Sequence, residues 1–214
     1  RKEKRERLLE MNKEAARYFH SRLYGLQGAQ ALDYLRGRGL SQATLTNFGL
    51  GFAPDSWDGL LNVLAEKGYD KKMVLEGGLA VSNDKGRIYD RFRNRVMFPI
   101  IDVRGNVIAF GGRTIKKDAD TMKYLNSPET LIFNKRKNLF GLNFAKKTKQ
   151  GYMILVEGNI DVVALHQYGF DNAIASLGTS LTEEQAALLT RYTEQVVLIY
   201  DGDQAGQKAT KRAI

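Results

Sequence analysis

Glu157, Asp201 and Asp203 are the residues of this 214-residue chain whose type and placement best suit chemistry. Glu157 closes the apolar run 152–156, and Asp201-Gly202-Asp203 closes a second apolar run, 195–200. Acids gathered at strand ends repel one another unless cations neutralise them. Mg2+ or Mn2+ matches such a set, because both are hard ions that take oxygen ligands and keep waters for phosphate groups. Asp-Gly-Asp turns alternate side chains toward a common ion, and Gly202 permits a close backbone approach. Two such ions activate a hydroxyl, offset charge on a phosphoryl group and help pyrophosphate leave. Glu157 acts as a ligand or as a proton-transferring group, and its position leaves both open. A lone Asp-x-Asp would more simply cap a helix or solubilise a loop; Glu157-Gly158 two strands earlier favours the metal.

The elements that must position these acids follow from hydrophobic period and punctuation. Runs at 152–156, 172–176 and 195–200 are unrelieved apolar strands, and helical patterns follow at 160–168, 180–192 and 205–214. Such βαβαβα alternation predicts a parallel sheet covered by helices, with ligands at the carboxyl ends of its strands. Glu157 ends the first strand, and Asp201 and Asp203 end the third. Residues 1–24 and 29–36 read as helices, and Ser41 is a candidate cap for a short third. The segment 48–54 is strand-like, 57–67 is an amphipathic helix, and 77–86 is a strand entering a hairpin turn. Residues 95–99 and 107–110 read as strands joined by a turn at 102–106, and Gly111-Gly112 allows a bend or bulge before Arg113. The expected organisation is an α+β N-terminal subdomain over 1–150, then a partial α/β parallel-sheet subdomain over 151–214.

Charge divides the chain at the same place. Residues 85–149 hold sixteen Lys/Arg against five Asp/Glu, and residues 151–214 hold four against eight. A net charge of +9 with a basic half before an acidic half suits a protein that grips a phosphate backbone with one part and cations with the other. Arg91, Arg93 and Arg95 alternate, so on a strand they would share one face toward phosphates, joined by Arg113 and Lys123. The competing reading is a solvated face with ion pairs to Asp90 or Asp102. Lys116-Lys117, Lys135-Arg136-Lys137 and Lys146-Lys147 read as ordinary solvated charges with a secondary role as a template track. His20 and His166 read as structural; Asp161, one turn after Glu157, reads as a supporting acid or a helix-start residue. Trp57, Phe48 and Phe52 read as core residues rather than base-stacking platforms.

With no cysteine, disulfides and thiolate metal sites are excluded, and no zinc is expected. No apolar run approaches the ~20 residues of a membrane helix, so no membrane partner is expected and a cytoplasmic location is.

Val156-Glu157-Gly158 with Tyr200-Asp201-Gly202-Asp203 resembles the Toprim motif of primases, topoisomerases and some nucleases and recombination proteins. The blocks 89–99, 110–113, 123–130, 34–54 and 175–179 narrow the resemblance to the catalytic core of bacterial DnaG-type primases. The resemblance implies synthesis of short RNA primers on a single-stranded DNA template from ribonucleoside triphosphates, by two-metal nucleotidyl transfer. It further implies that the basic surface faces the Toprim acids across a cleft, favouring Arg95, Arg113 and Lys123. A replicative helicase and a single-strand-binding protein are implied as partners of the full-length protein, through regions absent from this sequence.

The chain departs from the family pattern at Asn159, where an aromatic is expected, and it stops at Ile214, before the last Toprim strand and its further acids. A fragment with little primer synthesis of its own is therefore expected. Another Toprim enzyme of topoisomerase or nuclease type, or a non-catalytic nucleic-acid-binding Toprim module, are the alternatives. Neither topoisomerases nor nucleases account for the block from Arg91 to Pro99, and the non-catalytic reading stays open.

Overall fold

In the computed structural model, helix α1 (Lys2–Leu23) buries Leu8, Met11, Ala15, Phe19 and Leu23 along one stripe, as the helical period requires. The structure describes residues 1–118, 120–202 and 204–213, with backbone alone at Gln204, Ala205, Ala209 and Ala213. Packing separates two units, Arg1–Ile100 with Asn106–Phe133, and Ile101–Gly105 with Asn134–Ile214.

In the first unit α1 is followed by α2 (Ala29–Gly37) and α3 (Gln42–Phe48). Ser41 caps α3 as expected, its hydroxyl accepting the Thr44 N–H at 3.3 Å. Next come β1 (Gly51–Ala53), α4 (Gly59–Glu66), α5 (Lys71–Glu76), β2 (Ala80–Ser82), β3 (Ile88–Asp90), β4 (Arg95–Ile101), β5 (Val107–Thr114) and β6 (Tyr124–Asn126). One sheet has the order β1-β4-β5-β6, and β2 and β3 form a separate antiparallel hairpin. The core gathers α1 residues against Leu60, Leu64, Met97 and Phe110, with the rings of Phe19 and Phe110 edge to face at 5.3 Å.

Two local expectations change. The strand-like run 48–54 pairs only over Gly51–Ala53, because Phe48 completes α3 and Gly49 ends that helix in the left-handed region, φ 63°. Gly111-Gly112 makes no break: β5 runs through both, with Gly111 opposite Asn126 and Gly112 opposite Leu125.

The second unit contains α6 (Leu142–Ala145), β7 (Met153–Val156), α7 (Asn159–Gln167), β8 (Ala173–Ala175), α8 (Glu183–Leu189), β9 (Val196–Leu198) and α9 (Gln204–Ala213). Its three strands lie in the order β8-β7-β9, with both outer strands parallel to β7. Thr182 and Gln185 form a capping box at the start of α8. Residues 134–150 pack with this unit: Phe140 exchanges backbone hydrogen bonds with Ala175 at 2.8 and 3.0 Å, and the Gln185 amide donates to Lys135 and Asn138 carbonyls. His166 is structural, with Nε2 at 2.8 Å from the Ala173 carbonyl and its pKa lowered by burial. Among the described residues no helix is long and apolar enough to cross a membrane.

Candidate functional site

β7 is buried along its whole length, so the first exposed position is Glu157, just beyond Val156. Gly158 then takes an extended conformation and starts α7, which returns along the sheet. β9 runs beside β7 in the same direction, with Leu198 opposite Leu155, so Asp201 emerges at the same rim. The Asp201 backbone N–H donates to Glu157 Oε1 at 3.3 Å. Val156, Glu157, Asp161, Tyr168, Tyr200 and Asp201 line a cleft of about 330 Å³. Asp161, in the first turn of α7, turns its carboxylate back over Gly158, where a Cβ would lie 2.8 Å from Oδ2. Burial, and then the Glu157 charge, raise the Tyr200 pKa, so its hydroxyl stays protonated. Asp203 lies outside the described residues. Among those described, no three acids or histidines stand close enough together to hold a metal ion. The exposed oxygens of Glu157 and Asp201 are of the type that suits a hard divalent ion retaining several waters.

Arg91 and Arg93 do not lie on a strand. They fall in the connection between β3 and β4, with Asn94 in the left-handed region at φ 52°, and Arg95 opens β4. An extended run through 91–95 is thereby broken, and the shared strand face expected from alternation does not form. The three residues nevertheless line one cleft of about 210 Å³, together with Asp55, Lys116 and Thr121. Arg91 donates to the Asn126 carbonyl from Nε at 3.2 Å and Nη2 at 2.8 Å. Arg95, only 7% exposed, donates to the carbonyls of Gly112, Lys123 and Met122 at 3.2, 3.3 and 2.8 Å. Every one of these acceptors is a neutral carbonyl. Among the described residues no acid lies within 4.0 Å of Arg91, Arg93, Arg95, Arg113 or Lys123. Burial lowers the pKa of Arg91 and of Arg95, where the like charges of Arg93 and Arg91 add to the effect. Such a cluster gains from an anion brought to it. The ion pair with Asp90 that the competing reading would need does not form, because that carboxylate accepts the Leu60 and Leu61 N–H groups at the start of α4.

Gly112 makes room for Arg95. A Cβ there would stand 2.9 Å from Arg95 Cδ and 3.0 Å from the Phe92 ring. Arg113 and Lys123 line a second cleft of about 440 Å³ with Tyr34, Lys116, Lys117, Asp118 and Thr121. The Arg113 guanidinium stands 4.7 Å from the Tyr34 ring centre and 5.7 Å from that of Tyr124, and Lys123 Nζ is 5.5 Å from Tyr124. Arg113 Nε is buried with no hydrogen-bond partner among the described residues.

Sequence reasoning did not single out Tyr34 or Tyr124, gave Lys116 only a secondary role although it lines both clefts, and misplaced Trp57. Phe48 and Phe52 are core residues as expected, whereas Trp57 is 55% exposed, with the Arg93 guanidinium 4.3 Å from its ring centre. The signal lay in the neighbours of Trp57: Pro54, Asp55, Ser56 and Asp58 mark a loop rather than a helix face.

Residues 18–146 match the family model of the DNA primase catalytic core, N-terminal domain, and residues 154–214 match a Toprim-like model. The DNA primase of Clostridium acetobutylicum is 52% identical over 212 residues, which cover 99% of this chain and 35% of that protein. A solved DnaG primase catalytic domain bound to single-stranded DNA superposes with TM-score 0.89 at 43% identity, covering 100% of this chain and 69% of that one. The RNA polymerase domain of Mycobacterium tuberculosis DnaG, in complex with double-stranded DNA bearing a 6-nucleotide overhang, gives TM-score 0.89 at 36% identity, covering 97% and 68%. The chain spans about a third of the length of the curated relatives it matches. With one family model covering more than half of the chain and a second taking up the parallel sheet, the chain belongs to the bacterial DnaG-type primase catalytic cores.

Proposed function

We propose that this chain acts in template-directed synthesis of short RNA primers on single-stranded DNA from ribonucleoside triphosphates, as the catalytic core of a bacterial primase. The observation that carries the reading is Glu157 meeting Asp201 at the carboxyl ends of two neighbouring parallel strands. In this reading Glu157, Asp201 and Asp203 hold Mg2+ or Mn2+, with residues 151–214 as the metal-binding Toprim subdomain and residues 1–150 as the basic one. Two bound ions would supply activation of the primer 3′-hydroxyl and charge relief for the transferring phosphoryl group and the departing pyrophosphate. Asp201 and Asp203 act as ligands, and Glu157 as a ligand or as acceptor of the hydroxyl proton. Tyr200, held protonated, adds no charge to the set.

Arg91, Arg93, Arg95, Arg113 and Lys123 bind phosphates of the template or the triphosphate. Support comes from two clefts in which these cations and Lys116 outnumber the lining acids Asp55 and Asp118 and make no ion pair among the described residues, and from a relative of the same fold solved with single-stranded DNA. A replicative helicase and single-strand-binding protein would be engaged by other regions of the whole protein, in the bacterial cytoplasm. The test is incorporation of labelled ribonucleotides by the full-length protein on a single-stranded template, with wild type and Glu157→Gln side by side. Wild type is expected to give short RNA products and the variant to lose them; undiminished products from Glu157→Gln would overturn the reading.

A further inference from the structure

Asp90 ends β3, is 4% exposed, and ties together three segments of the first unit. Its carboxylate oxygens accept the N–H groups of Leu60 and Leu61 at 2.8 and 3.1 Å. Those donors belong to the first turn of α4, where backbone N–H groups have no partner inside the helix. The residue at the helix's own cap position, Asp58, makes no side-chain capping bond, so Asp90 supplies the cap from across the fold. The Asp90 backbone N–H donates to the Trp57 carbonyl at 2.7 Å, and its own carbonyl accepts from Arg93 Nη1 at 2.5 Å. A single buried residue therefore grips the start of α4, the segment before it, and the arginine connection.

What those segments carry is a solvent-facing stack. The Arg93 guanidinium stands 4.3 Å from the Trp57 ring centre and 5.1 Å from that of Tyr89. Trp57 and Tyr89 meet edge to face at 5.1 Å, and Arg87 lies 5.9 Å from Trp57. Two rings and two guanidinium groups with no carboxylate within 4.0 Å of either cation, among the described residues, present flat faces and positive charge together. Base faces and phosphates of a single strand are the matching chemistry.

We propose that Asp90 is a positioning residue for this stack: its carboxylate, by capping α4, fixes the segment in which its own backbone bonds Trp57 and Arg93, and so sets the ring and the guanidinium in the register that a nucleic-acid strand meets. What the stack binds rests on the function proposed above. The coupling from Asp90 to Trp57 is a property of the free chain and can be read without DNA.

Trp57 is the only tryptophan, so its indole N–H gives one resonance in a nitrogen-15-labelled chain. Asp90→Asn keeps one acceptor oxygen for the α4 N–H groups and Asp90→Ala keeps none. The indole resonance is expected to move slightly in Asp90→Asn and substantially in Asp90→Ala. Affinity for a fluorescent oligo-dT strand is expected to fall in the same order, by about tenfold for alanine, which corresponds to ~1.4 kcal/mol. Leu64→Ala destabilises α4 from its buried face and is expected to leave both readouts unchanged in the folded protein. An unmoved indole resonance in folded Asp90→Ala overturns the proposal, as does a Leu64→Ala shift equal to that of Asp90→Ala. If Asp90→Ala does not fold, Asp90→Asn decides: a partial shift supports the proposal and no shift overturns it. Failure of the wild-type chain to bind the strand would instead count against the nucleic-acid reading, with the indole result still deciding the role of Asp90.

Discussion

The Asp201 backbone N–H donates to Glu157 Oε1 across 3.3 Å, so the carboxyl ends of β7 and β9 are joined through the two residues proposed above as metal ligands. On the proposed function Glu157 has two tasks, a structural one that needs only an acceptor oxygen and a chemical one that needs charge. Glu157→Gln keeps the first and removes the second. It is expected to fold like wild type, with a thermal midpoint within a few degrees, while losing divalent-ion binding. A large drop in its midpoint would show that the charge itself holds the rim together.

Arg95 and Arg113 are expected to separate positioning from affinity. Charge reversal at either should reduce single-stranded DNA affinity and lower the slope of log K against log salt by about 0.7 for each phosphate that is no longer neutralised. Arg95→Glu should also destabilise the first unit by ~1–3 kcal/mol, because three backbone carbonyls lose a buried donor. Fluorescence anisotropy over a salt series reads the slope and denaturant unfolding reads the stability. An unchanged slope in both variants contradicts phosphate binding at these clefts.

Gly112 supplies a steric test of the same cluster. Gly112→Ala places a methyl 2.9 Å from Arg95 Cδ, and overpacking of this kind costs ~1–3 kcal/mol. Weaker oligonucleotide binding should accompany that loss, since the displaced side chain is Arg95. Gly37→Ala is the contrast: nothing lies within 4 Å of its new methyl, at the end of α2, so neutral to slightly higher stability is expected. Equal effects of the two substitutions would contradict the packing account.

His166 makes stability depend on pH. Burial lowers its pKa below the ordinary 6.5, opposed by its bond to the Ala173 carbonyl and by Asp171. A group with a depressed folded pKa binds its proton more readily when unfolded. Its contribution is therefore present above 6.5 and is lost as pH falls through the folded value. The thermal midpoint should drop between about pH 7 and pH 5, and His166→Gln, which can still donate to Ala173, should flatten that part of the profile. An identical profile for both proteins would contradict this.

Much of the second unit was legible because its signals are strong and local. Three apolar strands separated by helical patterns leave little choice of topology, and acids at strand ends stand out against them. The arginines show the limit of such reading. Alternation of Arg91, Arg93 and Arg95 implied a strand, but the left-handed Asn94 breaks it, and Arg91 and Arg95 are held instead by carbonyls of residues 17 to 35 positions away. Trp57 and Tyr34 escaped because cation–π neighbours come from distant segments, Arg113 to Tyr34 being the clearest case. Short elements such as α5 and β6 fell below what periodicity resolves.

Metal binding at the β7–β9 rim is tested by a Mn2+ titration followed by electron paramagnetic resonance, comparing wild type with Glu157→Gln and Asp201→Asn. Saturable binding is expected for wild type, weakened at least tenfold, ~1.4 kcal/mol, in each variant. Equal Mn2+ binding by all three proteins, or none by wild type, would contradict metal binding at this rim.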